Sequence, residues 1–232
     1  YAAMPAVLKD AIERSYQKVG WDLRNSESEK GVFPTFFDLL DILPGVIEES
    51  HYSKDTQSDY VGALCTRVKS LTNGIYVSVL CAEDALSDAE MFDQNVIVDL
   101  SRVGSMETKS LLMGILVMKL QEYRMCSSGM NSRLRHVTVL EEAHNLLRKT
   151  SAEQSQEGAN LQGKSVEMLA NAIAEMRTYG EGFIIADQAP GLLDMSVIRN
   201  TNTKIILRLP DEEDRKLVGK SAALKEAQID EL

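Results

Sequence analysis

Apolar residues in the first third of the chain recur at helical spacing. In PAVLKDAIERSYQKVGW, Val7, Leu8, Ala11, Ile12, Tyr16 and Val19 fall on one face, and Gly20 marks the end. The polar stretch NSESEKG (25–31) leads to TFFDLLDILPGVIEE, a second helical pattern that Pro44-Gly45 is expected to break. DTQSDYVGALCTRVKSLTNG supplies a third, with Tyr60, Leu64, Val68 and Leu71 aligned and Asn73-Gly74 as its stop. Residues 1–94 therefore read as a mostly helical segment. Within it IYVSVLC (75–81) is compatible with a short strand, which periodicity alone does not separate from a helix.

From Asn95 the texture changes to short β-type runs alternating with helices. NVIVDLS precedes METKSLLMGILVMKLQEYRM, and HVTVL precedes a long polar stretch and VEMLANAIAEMRTYG. GFIIADQ leads to a short turn and helix, and TKIILRL to DEEDRKLVGK. Continuous apolar strands separated by helices predict parallel βαβ units with both sheet faces covered. The fold class expected is α/β: a parallel sheet flanked by helices over 95–232, after the mostly helical 1–94.

Composition narrows the function classes. At 232 residues and 44% hydrophobic content, the chain is long enough to bury a substantial core. No apolar run approaches the roughly 20 residues that span a bilayer, so no membrane segment is expected. Cys65, Cys81 and Cys126 are odd in number and lack C-x-x-C spacing, which predicts reduced thiols in a cytoplasmic setting. The net charge of −10 disfavours broad nonspecific nucleic-acid binding, while leaving room for a local basic patch or a ring assembly. Tyr1-Ala2-Ala3-Met4 lacks an initiator Met and a basic leader, so the chain is expected to be part of a longer polypeptide.

In parallel sheets the chemistry sits beyond the carboxyl ends of the strands. Four such positions stand out: Asp99 with Ser101, Glu141 with Glu142, Asp187 with Gln188, and Arg208. VTVLEEAHNLL carries the sharpest pattern, an apolar run ending in two carboxylates. Nucleotide hydrolases use that layout to hold a magnesium-bound water with one acid and polarise the attacking water with the other. Glu141 is then the metal-side acid and Glu142 the general base. A strand running into a solvated helix start, where Glu favours the dipole, fits the same residues. His144 reads as a packing or helix-surface residue, because no second ligand lies at metal spacing. Gln188 reads as a phosphate-sensing or water-positioning amide, or as a turn residue before Pro190. Arg177, near a helix end closed by Gly180, either stabilises that end or projects a guanidinium toward phosphate.

EGANLQGKS (157–165) fits the phosphate-loop template G-x-x-x-x-G-K-[ST] at every fixed position. The template functions only between a buried strand and a helix, and LRKTSAEQSQEG ahead of it contains no strand. The stretch is expected to be a mobile connection between the two acids and the helix bearing Arg177. Ser165 would be the N-cap of VEMLANAIAEM, and Lys164 would be placed to visit phosphate or DNA.

VTVLEEAHNLL, EMRTYGEGFIIADQAPGLLDMSVIRNTNTKIILRL and PDEEDR together resemble the HerA-like/FtsK-like branch of additional-strand P-loop ATPases. These are RecA-like ring motors related to conjugation and type IV secretion ATPases. YVGALCTRVKSLTNG and NVIVDLSRVGS also look like members of that group, so the resemblance covers most of residues 1–218 and is specific in the last third. It implies that Glu141 and Glu142 are the Walker B acids, with Glu141 a tolerated variant of a first acid that is Asp or Glu. It implies Gln188 as sensor amide and Arg177 as an arginine finger or sensor, with Asp99 and Ser101 on a strand near the site. It further implies ATP and Mg2+ as cofactors of a hexameric parent that translocates or unwinds duplex DNA, often beside a nuclease partner. The family's P-loop precedes its helical insertion, so the Walker A motif is expected ahead of Tyr1, and residues 1–232 alone are expected to bind ATP poorly. A noncatalytic binding or oligomerisation module with an ATPase-like sheet is the alternative from another class.

Overall fold

The computed structural model describes residues 4–82, 85–149 and 156–232. The chain divides into two compact units, Tyr1–Ala85 and Leu86–Leu232.

The first unit is helical. Helix α1 (Met4–Lys18) buries Met4, Val7, Ala11 and Ser15 at three- and four-residue spacing, and Gly20 follows at φ +96°. A two-residue hairpin, β1 (Trp21–Asp22) with β2 (Glu27–Ser28), leads to α2 (Phe36–Glu49). Asp38 opens α2 by accepting from the Thr35 amide at 2.8 Å. The expected break at Pro44-Gly45 does not occur. Leu43, Val46 and Ile47 on either side are all buried, and their packing outweighs the hydrogen bond that proline removes. Helix α3 (Lys54–Tyr60) continues through a π turn (Val61–Cys65) into α4 (Thr66–Leu71), burying Tyr60, Leu64 and Val68 as the spacing predicts. The 75–81 segment, compatible with a strand by sequence, is helix α5 (Ile75–Leu80).

The second unit is mixed α/β. Short α6 (Asp88–Phe92) precedes α7 (Met106–Ser127), whose Leu112, Met113, Val117 and Leu120 enter the core. Full burial of such an aliphatic side chain contributes about 1.5–3 kcal/mol. Strand β3 (His136–Glu141) pairs in parallel with β4 (Glu181–Ala186), in a register that sets Val139 opposite Ile184 and Glu141 opposite Ala186. A parallel pair requires a crossover, and α8 (Gln156–Met176) provides its helix. Leu140, Phe183 and Ile185 pack into the core, whereas Val137, Val139 and Ile184 on the opposite face are exposed. Helices α9 (Met195–Asn200), α10 (Glu212–Ser221) and α11 (Glu226–Asp230) complete the unit.

Two expected strands, NVIVDLS and TKIILRL, are not in a ladder, and Ile97, Ile205 and Leu207 are 95%, 88% and 80% exposed. An apolar β-branched run signals strand tendency, but a strand forms only against a partner, and neither run has one among the described residues. EGANLQGKS is a second correction: expected as a mobile connection, it lies within α8, where no phosphate loop forms. Its Ala, Leu, Gln and Lys are good helix formers, and they outweigh about 1 kcal/mol for each glycine. Ser165 is accordingly inside the helix rather than at its N-cap, and the Lys164 side chain lies outside the described residues.

Candidate functional site

The parallel pairing ends both strands at the same level, so the residues that follow them meet. Glu141 is the exposed last residue of β3. Glu142 then adopts the left-handed conformation, φ +50° and ψ +46°, which turns the chain into the 3-10 turn Ala143–Asn145. A non-glycine residue there is uncommon and is held by its surroundings. The Glu142 carbonyl accepts from the Asn145 amide at 2.9 Å. Across the strand ends, the Gln188 side-chain amide donates to Glu142 Oε1.

Asp187, the residue before Gln188, ties the two turns together. Its side chain is 3% exposed. Oδ2 accepts from the His144 amide at 2.8 Å and lies 3.0 Å from His144 Nδ1, while Oδ1 accepts from the Ala189 amide at 2.9 Å. A carboxylate oxygen accepts, which places the ring proton on Nδ1. The same Nδ1 is 3.6 Å from Glu142 Oε2. His144 is thus not a plain packing residue: it sits between the two carboxylates. Asn145 Oδ1 nearby in sequence is buried without a hydrogen-bond partner among the described residues. The signal for Asp187 and His144 was present in ADQ and EEAH, but spacing does not reveal that the two bond to each other.

The other expected site residues are not brought to this cluster. Arg177 lies in the 3-10 turn Arg177–Tyr179 that precedes β4, exposed and without an ion pair among the described residues. Gln188 follows the other end of the same strand, and the strand's six residues span about 17 Å at 3.3 Å per step. One chain therefore does not place the Arg177 guanidinium on its own Glu142. Asp99 and Ser101 bond to each other, the Ser101 amide donating to Asp99 Oδ1 at 2.8 Å. Hydrogen bonding from the Ser101 side chain, then from its backbone, holds the Asp99 carboxyl below its ordinary value. Neither residue bonds to Glu141, Glu142 or Gln188.

Sequence patterns also missed a buried charged cluster at the opposite end of the sheet. Arg124 and Glu181 pair at 2.8 Å with side chains 3% and 0% exposed. Glu181 Oε1 also lies 2.8 Å from His136 Nδ1 and accepts from Thr138 Oγ1 at 2.7 Å. Arg124 donates in addition to Asp93 at 2.6 Å and to the Phe92 carbonyl at 2.5 Å. Burial works against the Arg124 charge, but hydrogen bonds to Asp93 and Glu181 outweigh it and leave the pKa raised. The arrangement fixes α6, α7 and the sheet to one another.

Magnesium is commonly held by one or two carboxylates together with water and substrate phosphates, rather than by an all-protein cage. Glu141 and Glu142 suit that chemistry, and no group of three or more His, Cys, Asp or Glu suited to a metal occurs among the described residues. A triphosphate needs a run of backbone N–H groups at a strand-to-helix turn, and the one matching sequence, Gly158–Ser165, is helical. Among the described residues the strand end offers two adjacent carboxylates, Glu141 and Glu142, and the matching glycine-rich sequence forms no triphosphate cradle.

No family model matches the chain, and no curated protein matches it. None of the described helices is long and apolar enough to cross a membrane.

Proposed function

We propose that residues 86–232 are the acid- and sensor-bearing part of a HerA-like, RecA-like ring ATPase that couples ATP hydrolysis to DNA translocation or unwinding. One observation carries the reading: parallel strands β3 and β4 end together, and Gln188 donates to Glu142 across their ends. In this reading Glu142 accepts a proton from the attacking water, Glu141 orients a metal-bound water, and Gln188 reports on the phosphate that water attacks. Magnesium, when bound, would supply positive charge to the phosphates. In this reading the phosphate loop is supplied by residues other than these, as the resemblance implies. The position of Arg177 before the start of β4, at the opposite end from Gln188, suits a guanidinium that serves a neighbouring subunit in the ring the resemblance implies, with a hexamer, DNA and a nuclease as the expected partners. ATP hydrolysis by the parent polypeptide, and its loss in Glu142→Gln, tests the assignment.

Exposed Ile97, Ile205 and Leu207 favour one other reading, a noncatalytic module that associates through these apolar segments. Hydrolysis unaffected by Glu142→Gln, together with self-association lost when these residues are made polar, is its signature.

A further inference from the structure

We propose that Asp187 is the positioning residue of the strand-end site, holding Glu142 toward Gln188 by way of His144. The inference rests on the ATPase reading only in giving Glu142 a chemical task. Glu142 occupies a left-handed conformation that costs an ordinary residue of order 1–2 kcal/mol, so something must hold it. Its own side chain does not: it is 45% exposed, and its hydrogen bond among the described residues is to an exposed glutamine.

The buried group is Asp187. Three N–H groups converge on its carboxylate, two from His144 and one from Ala189. The bonds to His144 fix both the backbone and the ring of the turn that follows Glu142. The bond to Ala189 fixes the backbone just beyond Gln188. A single buried carboxylate therefore sets the position of both partners of the Glu142–Gln188 contact, although its own hydrogen bonds go to His144 and Ala189. His144 is the lever, since its Nδ1 lies between Asp187 Oδ2 at 3.0 Å and Glu142 Oε2 at 3.6 Å. Neutral asparagine at 187 would keep the shape but present an N–H to a site that already holds only donors.

The test is NMR on isotope-labelled residues 1–232, without nucleotide. In the wild-type chain the two Gln188 side-chain amide protons are expected to resonate apart from free glutamine, and His144 to carry its proton on Nδ1. In Asp187→Asn the Gln188 pair should move to free-glutamine positions, although neither Glu142 nor Gln188 has been changed. The His144 and Ala189 amides should exchange about tenfold faster, and the methyls of buried Leu140 and Leu147 should stay in place. A Gln188 signal unmoved in a folded Asp187→Asn protein overturns the proposal. If that variant does not fold, His144→Asn, which keeps a donor near the Nδ1 position, should retain the Gln188 signature, and His144→Ala should lose it. The same signature in both would overturn the proposal. The Gln188 readout involves no hydrolysis, so it stands or falls separately from the effect of Glu142→Gln on ATPase activity.

Discussion

The Arg124 guanidinium donates from Nε to Glu181 Oε2 at 2.8 Å, and the two side chains are 3% and 0% exposed. Taking both charges out of water is costly, and the pair persists because Asp93 and the Phe92 carbonyl accept from further guanidinium N–H groups while His136 and Thr138 bond to the other Glu181 oxygen. Removing one partner leaves the other buried and uncompensated. Arg124→Met and Glu181→Gln should each destabilise the second unit by about 3–5 kcal/mol. The double variant should lose less than the sum of the two. Urea unfolding of the four proteins checks both statements.

Acidification should weaken the same corner of the fold. Asp93 is held below its ordinary carboxyl value, first by the Tyr123 hydroxyl and next by Arg124. A group with a lowered folded pKa binds its proton more readily when unfolded, so its stabilisation is present above about pH 4 and is lost as pH falls through the folded value. Asp93 is half exposed, which limits the size of the effect. Thermal midpoints recorded from pH 6 down to pH 3 should fall less steeply in Asp93→Asn than in the wild type.

Gly180 closes the 3-10 turn bearing Arg177 at φ +83°, and a Cβ there would lie 2.4 Å from the Arg133 carbonyl oxygen. The conformation and the contact both exclude a side chain. Gly180→Ala should cost more than about 1 kcal/mol, read as a lower denaturant midpoint at unchanged slope.

How much of this was legible beforehand follows from what each signal depends on. Helical faces such as Val7–Ala11 and Tyr60–Leu64–Val68 depend on local spacing, and they were readable. HVTVL and GFIIA were readable as strands because each finds the other. NVIVDLS and TKIILRL carry the same apolar signal, yet a ladder needs a neighbour that no single segment encodes. Pro44 and EGANLQGKS depart from expectation for the opposite reason: proline and glycine signal a break and a loose connection, and their helical surroundings outweigh them. At the site, the positions of Glu141, Glu142 and Gln188 followed from strand ends. The Asp187–His144 bonds and the Arg124–Glu181 pair join residues 43 and 57 positions apart, a separation that periodicity does not reach.

Exposed Ile97, Ile205 and Leu207 make few contacts to lose. Replacing each with Thr should change stability by no more than about 0.5 kcal/mol. If these segments mediate association, sedimentation velocity should show the triple variant shifted toward monomer at equal concentration.

The strand-end assignment is tested most directly by steady-state ATP hydrolysis of the parent polypeptide carrying a phosphate loop, wild type against Glu142→Gln. Loss of the general base should lower kcat by about 100-fold or more while the fold remains intact. Hydrolysis by the variant at the wild-type rate would contradict the account.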